Sequence, residues 1–251
     1  EMLESYSDPN AGALMVRGIG WATGDGLLMA REAGAGLCGM GGVMALHIAA
    51  VDPVETAAGN PFSALPYTLS INRNGTRFVD ESEGYVAHGK ALLTQPEQKA
   101  ALIFDEAIRS LPGPAAACAT FERLGIRIVE AASIEELAAA IDVPEAALKE
   151  TIGKFNAAVA NETAVTADPP KKKLAHALNG PRFFAFYPLV PGITLTFGGI
   201  MINKRAQALE ADGRIIPGLF AAGEGAGGVF FDDYIGGGSL TNCLVMGRIA
   251  G

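Results

Sequence analysis

Ile216-Pro217-Gly218-Leu219-Phe220-Ala221-Ala222-Gly223-Glu224-Gly225-Ala226-Gly227-Gly228, followed shortly by Gly236-Gly237-Gly238-Ser239-Leu240-Thr241, is the stretch on which the fold turns. The apolar run at 219–222, placed after a Pro-Gly turn, reads as a strand. Residues 223–228 then satisfy the pattern G-x-G-x-x-G. A dinucleotide fingerprint also needs a helix, a second parallel strand and an acidic residue about 20 positions on. Only 23 residues follow Gly228, so the motif is weak as a direct Rossmann turn. The second cluster sets three glycines before a helix whose first turn carries Ser239 and Thr241. Bare amides at the positive end of a helix dipole suit an electron-rich ligand oxygen, although the same pattern also describes a flexible loop.

Working outward, residues 193–197, 200–203 and 207–209 read as further short strands separated by Gly-Gly and Asp-Gly turns, and a helix starts near Ser239. Near the start, Thr23-Gly24-Asp25-Gly26 leads into a helix capped by Thr23 or Asp25 and stopped by Gly34. An apolar run at 43–50, holding His47, reads as a strand. Residues 67–79 read as a hairpin around Asn74-Gly75, and 100–104 as a buried strand followed by a helix from Asp105. Ser133 and Glu136 form a capping box, and Pro144 opens a second helix with Leu148, Ile152, Phe155 and Val159 on one face. The connector at 168–173, with its three lysines, reads as a solvated loop, and His88 and His176 read as solvent-side.

Composition excludes several classes. Nineteen Lys and Arg against 27 Asp and Glu give a formal charge of −8, which argues against a nucleic-acid or anionic-membrane binder. With 49% apolar and 18% charged residues the chain folds and buries much of itself. The 3 cysteines are far apart with no metal spacing, so neither a disulfide scaffold nor a zinc site is expected, and the default compartment is a reducing, cytoplasmic one. The apolar stretches at 41–51 and 190–202 fall short of the roughly 18–20 residues that span a bilayer.

The order of the pieces carries more than any one of them. Residues 198–203 (GGIMIN), 216–224 (IPGLFAAGE), 236–241 (GGGSLT) and 247–251 (GRIAG) resemble, in that order, the C-terminal flavin-binding segment of the fumarate reductase and succinate dehydrogenase flavoprotein family. Thr23-Gly24-Asp25-Gly26 with Ala33-Gly34-Ala35, and Asn74-Gly75-Thr76-Arg77-Phe78-Val79-Asp80-Glu81, are similar to further family motifs, so the resemblance covers essentially the whole chain. It implies an α+β fold: a capping, substrate-side domain at 42–195, and an incomplete α/β FAD-binding domain made of 1–41 and 196–251. Because family members begin with a nucleotide-binding strand-turn-helix, a chain starting Glu1-Met2 reads as a fragment. Alone it is expected to bind FAD weakly or not at all and to lack activity.

What the resemblance implies for function is an FAD-dependent oxidoreductase working on a carbon–carbon bond beside a carbonyl or carboxylate, with hydride exchanged at flavin N5. By the same resemblance, Glu224 and Gly223 meet the ribityl or ribose hydroxyls, and Gly237, Gly238, Ser239, Leu240 and Thr241 face the N1/O2 edge of the ring. Fumarate-reducing members place cations or cation-capable groups at four substrate positions. Here His47 matches the first, whereas Leu195, Tyr85 and Tyr234 stand at the others, and a dicarboxylate would lose charge-assisted bonds. The tyrosines are similar to those of ketosteroid dehydrogenases, with Tyr85 as proton-transfer group and Tyr234 with the Gly238 amide on the ketone oxygen. The glycine cluster also resembles tricarballylate dehydrogenases. A phenol ordinarily titrates near ~10, so a base role for Tyr85 needs help from a neighbour or the flavin field. Each tyrosine also has a packing reading, and His47 one as a hydrogen-bonded core histidine. Competing readings are a flavin-free cap module without activity, a dicarboxylate oxidoreductase of the fumarate/succinate type, and a sugar- or peptide-binding module. The electron partner is unassigned, no metal is expected, and a homo-oligomer is allowed.

Overall fold

The computed structural model describes residues 2–6, 9–17, 21–49, 59–231 and 233–251, with the side chains at 2–3 and 43–49 outside the description. In chain order the elements are α1 Met2–Tyr6, β1 Met15–Val16, α2 Asp25–Glu32, β2 Leu37–Cys38, β3 Val43–Ala49, β4 Leu69–Asn72, α3 Tyr85–Leu93, β5 Ala100–Asp105 and α4 Glu106–Arg109. They continue with α5 Pro112–Arg123, β6 Val129–Ala131, α6 Ile134–Ala140, α7 Glu145–Ala158, β7 Phe183–Thr196, β8 Gly199–Ile200, β9 Gln207–Leu209, β10 Ile215–Phe220 and α8 Gly238–Ala250. Helices and sheets are mixed along the chain. Contacts divide it into two compact units, one of residues 1–12, 18–44 and 193–251, the other of 13–17 and 45–192.

The second unit is built on a sheet ordered β1-β7-β5-β4, with β3 and β6 also pairing with β7. β5 is buried along its whole length because it lies between two antiparallel partners, and Leu102, Ile103 and Phe104 are sealed from solvent. Phe186 packs on Phe104 and Phe121 at ring distances of 5.0 and 4.5 Å. α7 presents Leu148, Ile152 and Phe155 to this core, the i, i+4, i+7 stripe visible in the sequence. Ser133 caps α6 by accepting from the Glu136 amide at 3.2 Å, while the Glu136 carboxylate reaches back to the Ala132 amide. Asp105 caps α4 through the Ile108 amide.

Several local expectations are corrected. β7 is one strand of 14 residues running through Pro188 and Pro191, not a short strand beginning at 193. The turn at 73–75 forms, but only Arg77 bridges back to Ile71, and β4 finds its main partner in β5. α2 begins after Gly24, whose φ of 88° is accessible to glycine, and Thr23 bonds the Asp25 carboxylate instead of capping. Lys171, assigned to a solvated loop, is 0% exposed.

In the first unit β2 pairs antiparallel with β8, and β9 with β10. A small core of Ala30, Ala35, Ile200 and Ala208 sits beneath them. Glycine is required where this layer meets the 223–227 turn: a Cβ on Gly227 would lie 2.6 Å from the Cys38 carbonyl oxygen and 2.6 Å from the Gly199 amide nitrogen. α8 buries none of its residues, and Leu240, Leu244, Val245 and Ile249 on it are exposed.

Candidate functional site

In the unit that holds residues 193–251, Gly223, Glu224 and Ser239 line one small cleft together with Thr196, Phe230 and Asn242. Strand β10 delivers the chain into a tight turn at 223–225, with Gly223 at φ 66°, and Glu224 turns back to accept from the Thr196 amide at 3.3 Å. Asn242, one turn into α8, donates to the Gly223 carbonyl at 3.3 Å and ties the helix to that turn. Leu195 also lines the cleft, so no cation is supplied from that position.

α8 begins after Gly237, which lies in the left-handed region at φ 81° and brings no side chain of its own to cap the helix. The amides there are engaged locally. Gly238 N–H donates to the Ile235 carbonyl at 2.8 Å, and Ser239 N–H donates to the Tyr234 hydroxyl at 3.4 Å. Thr241 spends its hydroxyl on the Gly237 carbonyl. Tyr234 is half-buried against Phe230, ring centroids 5.1 Å apart. The structure therefore joins Tyr234 to the Ser239 amide, while the Gly238 amide that the sequence reading pairs with it is turned to Ile235. Leu240 presents an exposed side chain.

These residues fit a flavin ring edge. Built Cβ atoms on Gly236 and Gly237 meet nothing within 4 Å, so the backbone before α8 is open to a flat ligand. The positive dipole end of α8 favours an electron-rich ligand edge. Glu224 is exposed beside that backbone and offers carboxylate oxygens to hydroxyl donors.

Tyr85 belongs to the other unit. It is the first residue of α3, after Gly84 at φ 100°, and it is half-buried with its ring 4.4 Å from that of Phe62. The same unit holds a charged network that sequence reasoning missed. Arg77 and Glu81, the i, i+4 pair of the Arg-Phe-x-x-Glu motif, form a salt bridge of 2.9 Å with side chains 2% and 0% exposed. Lys171 comes from a distant loop to 3.3 Å from the same carboxylate and donates to the Thr68 carbonyl at 2.7 Å. The other Glu81 oxygen accepts from the Ser70 amide at 2.7 Å. Burial opposes ionisation of Glu81, but Lys171 and Arg77 outweigh it and hold the carboxyl below its usual range. Burial pulls Lys171 down, with Glu81 opposing.

His88, expected at the solvent side, is 0% exposed. It lies one turn after Tyr85 in α3 and shares a hydrogen bond of 2.7 Å with Ser70 Oγ. Burial drives its pKa down to about 4, with Glu81 opposing. His176 is half-buried and stacks on Tyr67 at 6.0 Å. His47 falls in β3, and its side chain is outside the described residues. No sequence signal marked Lys171, whose neighbours Lys172 and Lys173 are exposed.

Among the described residues no cluster of His, Cys, Asp and Glu could hold a metal, and no helix is long and apolar enough to cross a membrane. A fumarate reductase (cytochrome) of Shewanella frigidimarina is 31% identical over 235 residues, 92% of this chain and 39% of that protein. An NADH:acrylate oxidoreductase of Vibrio harveyi is 34% identical over 241 residues, 91% of this chain and 22% of that protein. Among solved structures, a 3-ketosteroid-Δ4-(5α)-dehydrogenase from Rhodococcus jostii RHA1 superposes with a TM-score of 0.70 at 25% identity, covering 99% of this chain and 48% of that one. The chain thus spans less than half the length of each. Residues 1–240 match the family described as FAD binding domain, and the chain belongs to that FAD-binding family.

Proposed function

We propose that the protein is part of an FAD-dependent dehydrogenase or reductase acting on a carbon–carbon bond beside a carbonyl or carboxylate. The observation that carries this reading is the convergence of Gly223, Glu224 and Ser239 on one cleft in a chain of the FAD-binding family. FAD, when bound, supplies the hydride acceptor or donor at N5. The unit of 1–12, 18–44 and 193–251 is the flavin-side portion, in which Glu224 binds hydroxyls of the cofactor and the start of α8 receives the ring edge. The unit around 45–192 is the capping, substrate-side portion.

In the reducing direction the Tyr85 hydroxyl gives a proton to Cα as hydride adds at Cβ, and the double bond becomes single. In the oxidising direction the Tyr85 oxygen takes the Cα proton. The Tyr234 hydroxyl, already joined to the Ser239 amide, holds the substrate carbonyl oxygen, where charge grows during the reaction. Relatives named for fumarate and acrylate support a substrate with a polarised double bond. Leu195, Tyr85 and Tyr234 at the places of family cations weigh against a dicarboxylate and for a ketone or a single carboxylate.

The test is stopped-flow reduction of the flavin-loaded full-length enzyme. Tyr85→Phe should slow flavin reduction by roughly 10²–10⁴-fold with little change in substrate affinity, the mark of a positioned acid or base. An unchanged rate would return Tyr85 to packing against Phe62. Full-length protein that takes up no flavin would favour the flavin-free module.

A further inference from the structure

Arg17 differs from the other arginines of its unit. It follows the edge strand β1, is half-buried, and among the described residues makes no ion pair or hydrogen bond. Arg73, Arg77, Arg109 and Arg182 are each paired with a carboxylate, and Arg123 and Arg127 are exposed. The contact Arg17 does make is with an aromatic face: its guanidinium carbon is 6.0 Å from the centroid of Phe62. The same Phe62 ring packs 4.4 Å from Tyr85. Among the described residues burial alone acts on Arg17, pulling its pKa down with no anion to offset it. A partly desolvated cation beside an aromatic ring has its donors free for a planar, bidentate acceptor.

We propose that Arg17 is a substrate ligand that selects a carboxylate, so that the substrate class is a molecule bearing one carboxylate next to the bond on which Tyr85 acts. The proposal rests on the reading of Tyr85 as the substrate-side proton-transfer group, since Phe62 is what joins the two residues. One guanidinium fork accommodates one carboxylate. That agrees with the lack of cations at Leu195, Tyr85 and Tyr234.

The experiment titrates the full 251-residue chain, with nitrogen-15-labelled arginine, against sodium acrylate and against acrylamide, which has the same shape without the charge. Sodium chloride keeps the ionic strength equal. The Arg17 Nε–H resonance, identified by its loss in Arg17→Gln, should shift saturably with acrylate and not with acrylamide or chloride. Arg17→Gln should weaken acrylate binding by roughly 10–100-fold, the range of a charge-assisted hydrogen bond, and Arg17→Lys by less. Because Arg17 holds no carboxylate among the described residues, both variants should keep the wild-type thermal midpoint. An Arg17 resonance unmoved by acrylate, one moved equally by chloride, or full acrylate affinity in Arg17→Gln overturns the proposal. The Tyr85→Phe rate in the flavin-loaded enzyme separates the two readings. An unchanged rate with Arg17-dependent acrylate binding rejects the role of Tyr85 alone, whereas a slowed rate with Arg17-independent binding rejects the role of Arg17 alone.

Discussion

Acidification from pH 7 to pH 4 should remove about 3 kcal/mol of stability through His88 alone. The ring is fully buried, bonded to Ser70 Oγ at 2.7 Å from β4 and packed against Phe78 at a ring distance of 5.5 Å. Its folded pKa is about 4 against 6.5 for an unperturbed histidine. The unfolded chain therefore binds the proton first. Between pH 6.5 and 4 unfolding takes up a proton, so the stability that neutral His88 contributes is complete above the unfolded pKa and lost as pH falls through this window. At about 1.36 kcal/mol per pKa unit, the 6.5-to-4 difference is worth about 3 kcal/mol, most of it gone by pH 4. Glu81, the charged neighbour that favours protonation, is included in that balance. The assay is urea unfolding at several pH values for the wild type and His88→Gln. The glutamine keeps a partner for Ser70 but cannot titrate. The wild-type slope should exceed the variant's between pH 6.5 and 4, and parallel curves would refute the reasoning.

Glu81→Ala leaves Arg77 and Lys171 buried without their anion and should cost about 3–5 kcal/mol, whereas Lys171→Met leaves the Arg77–Glu81 pair intact and should cost much less. Denaturant midpoints of the two variants check this, and equal losses would show that the three charges are not one network. Gly227→Ala sets a methyl 2.6 Å from backbone atoms of Cys38 and Gly199 and should destabilise the β2–β8 layer by about 1–3 kcal/mol. A thermal midpoint equal to wild type would mean that this layer yields.

The elements that could be read from the sequence are those whose determinants lie within a few residues of one another. The Ser133–Glu136 cap, the apolar stripe of α7 and the Asp105 cap are set by contacts one helical turn away, and each forms as its local pattern implies. The ordered glycine motifs at 198–203, 216–224 and 236–241 pointed to the FAD-binding family, and each holds a glycine that a side chain would strain or crowd: Gly198 and Gly199 lie against backbone, and Gly218, Gly223 and Gly237 have positive φ.

Long-range pairing decided the rest. Pro188 and Pro191 look like strand breakers, yet β7 continues through both: β5 pairs with it over 183–189, and β1 and β3 pair with it as well. Lys171 is indistinguishable in sequence from Lys172 and Lys173. Only the arrival of Glu81, 90 positions earlier, makes one lysine a buried counter-ion and leaves the others in water. Arg17 and Tyr85 likewise carry no shared motif, and they meet on Phe62 only because the sheet brings β1 and the segment before β4 into the same unit. Local sequence determined the turns, caps and helix faces, because backbone preference acts over a few residues. Which charges are buried, which are paired and which face a ligand was decided by tertiary structure, because burial and Coulomb energy depend on distance in space.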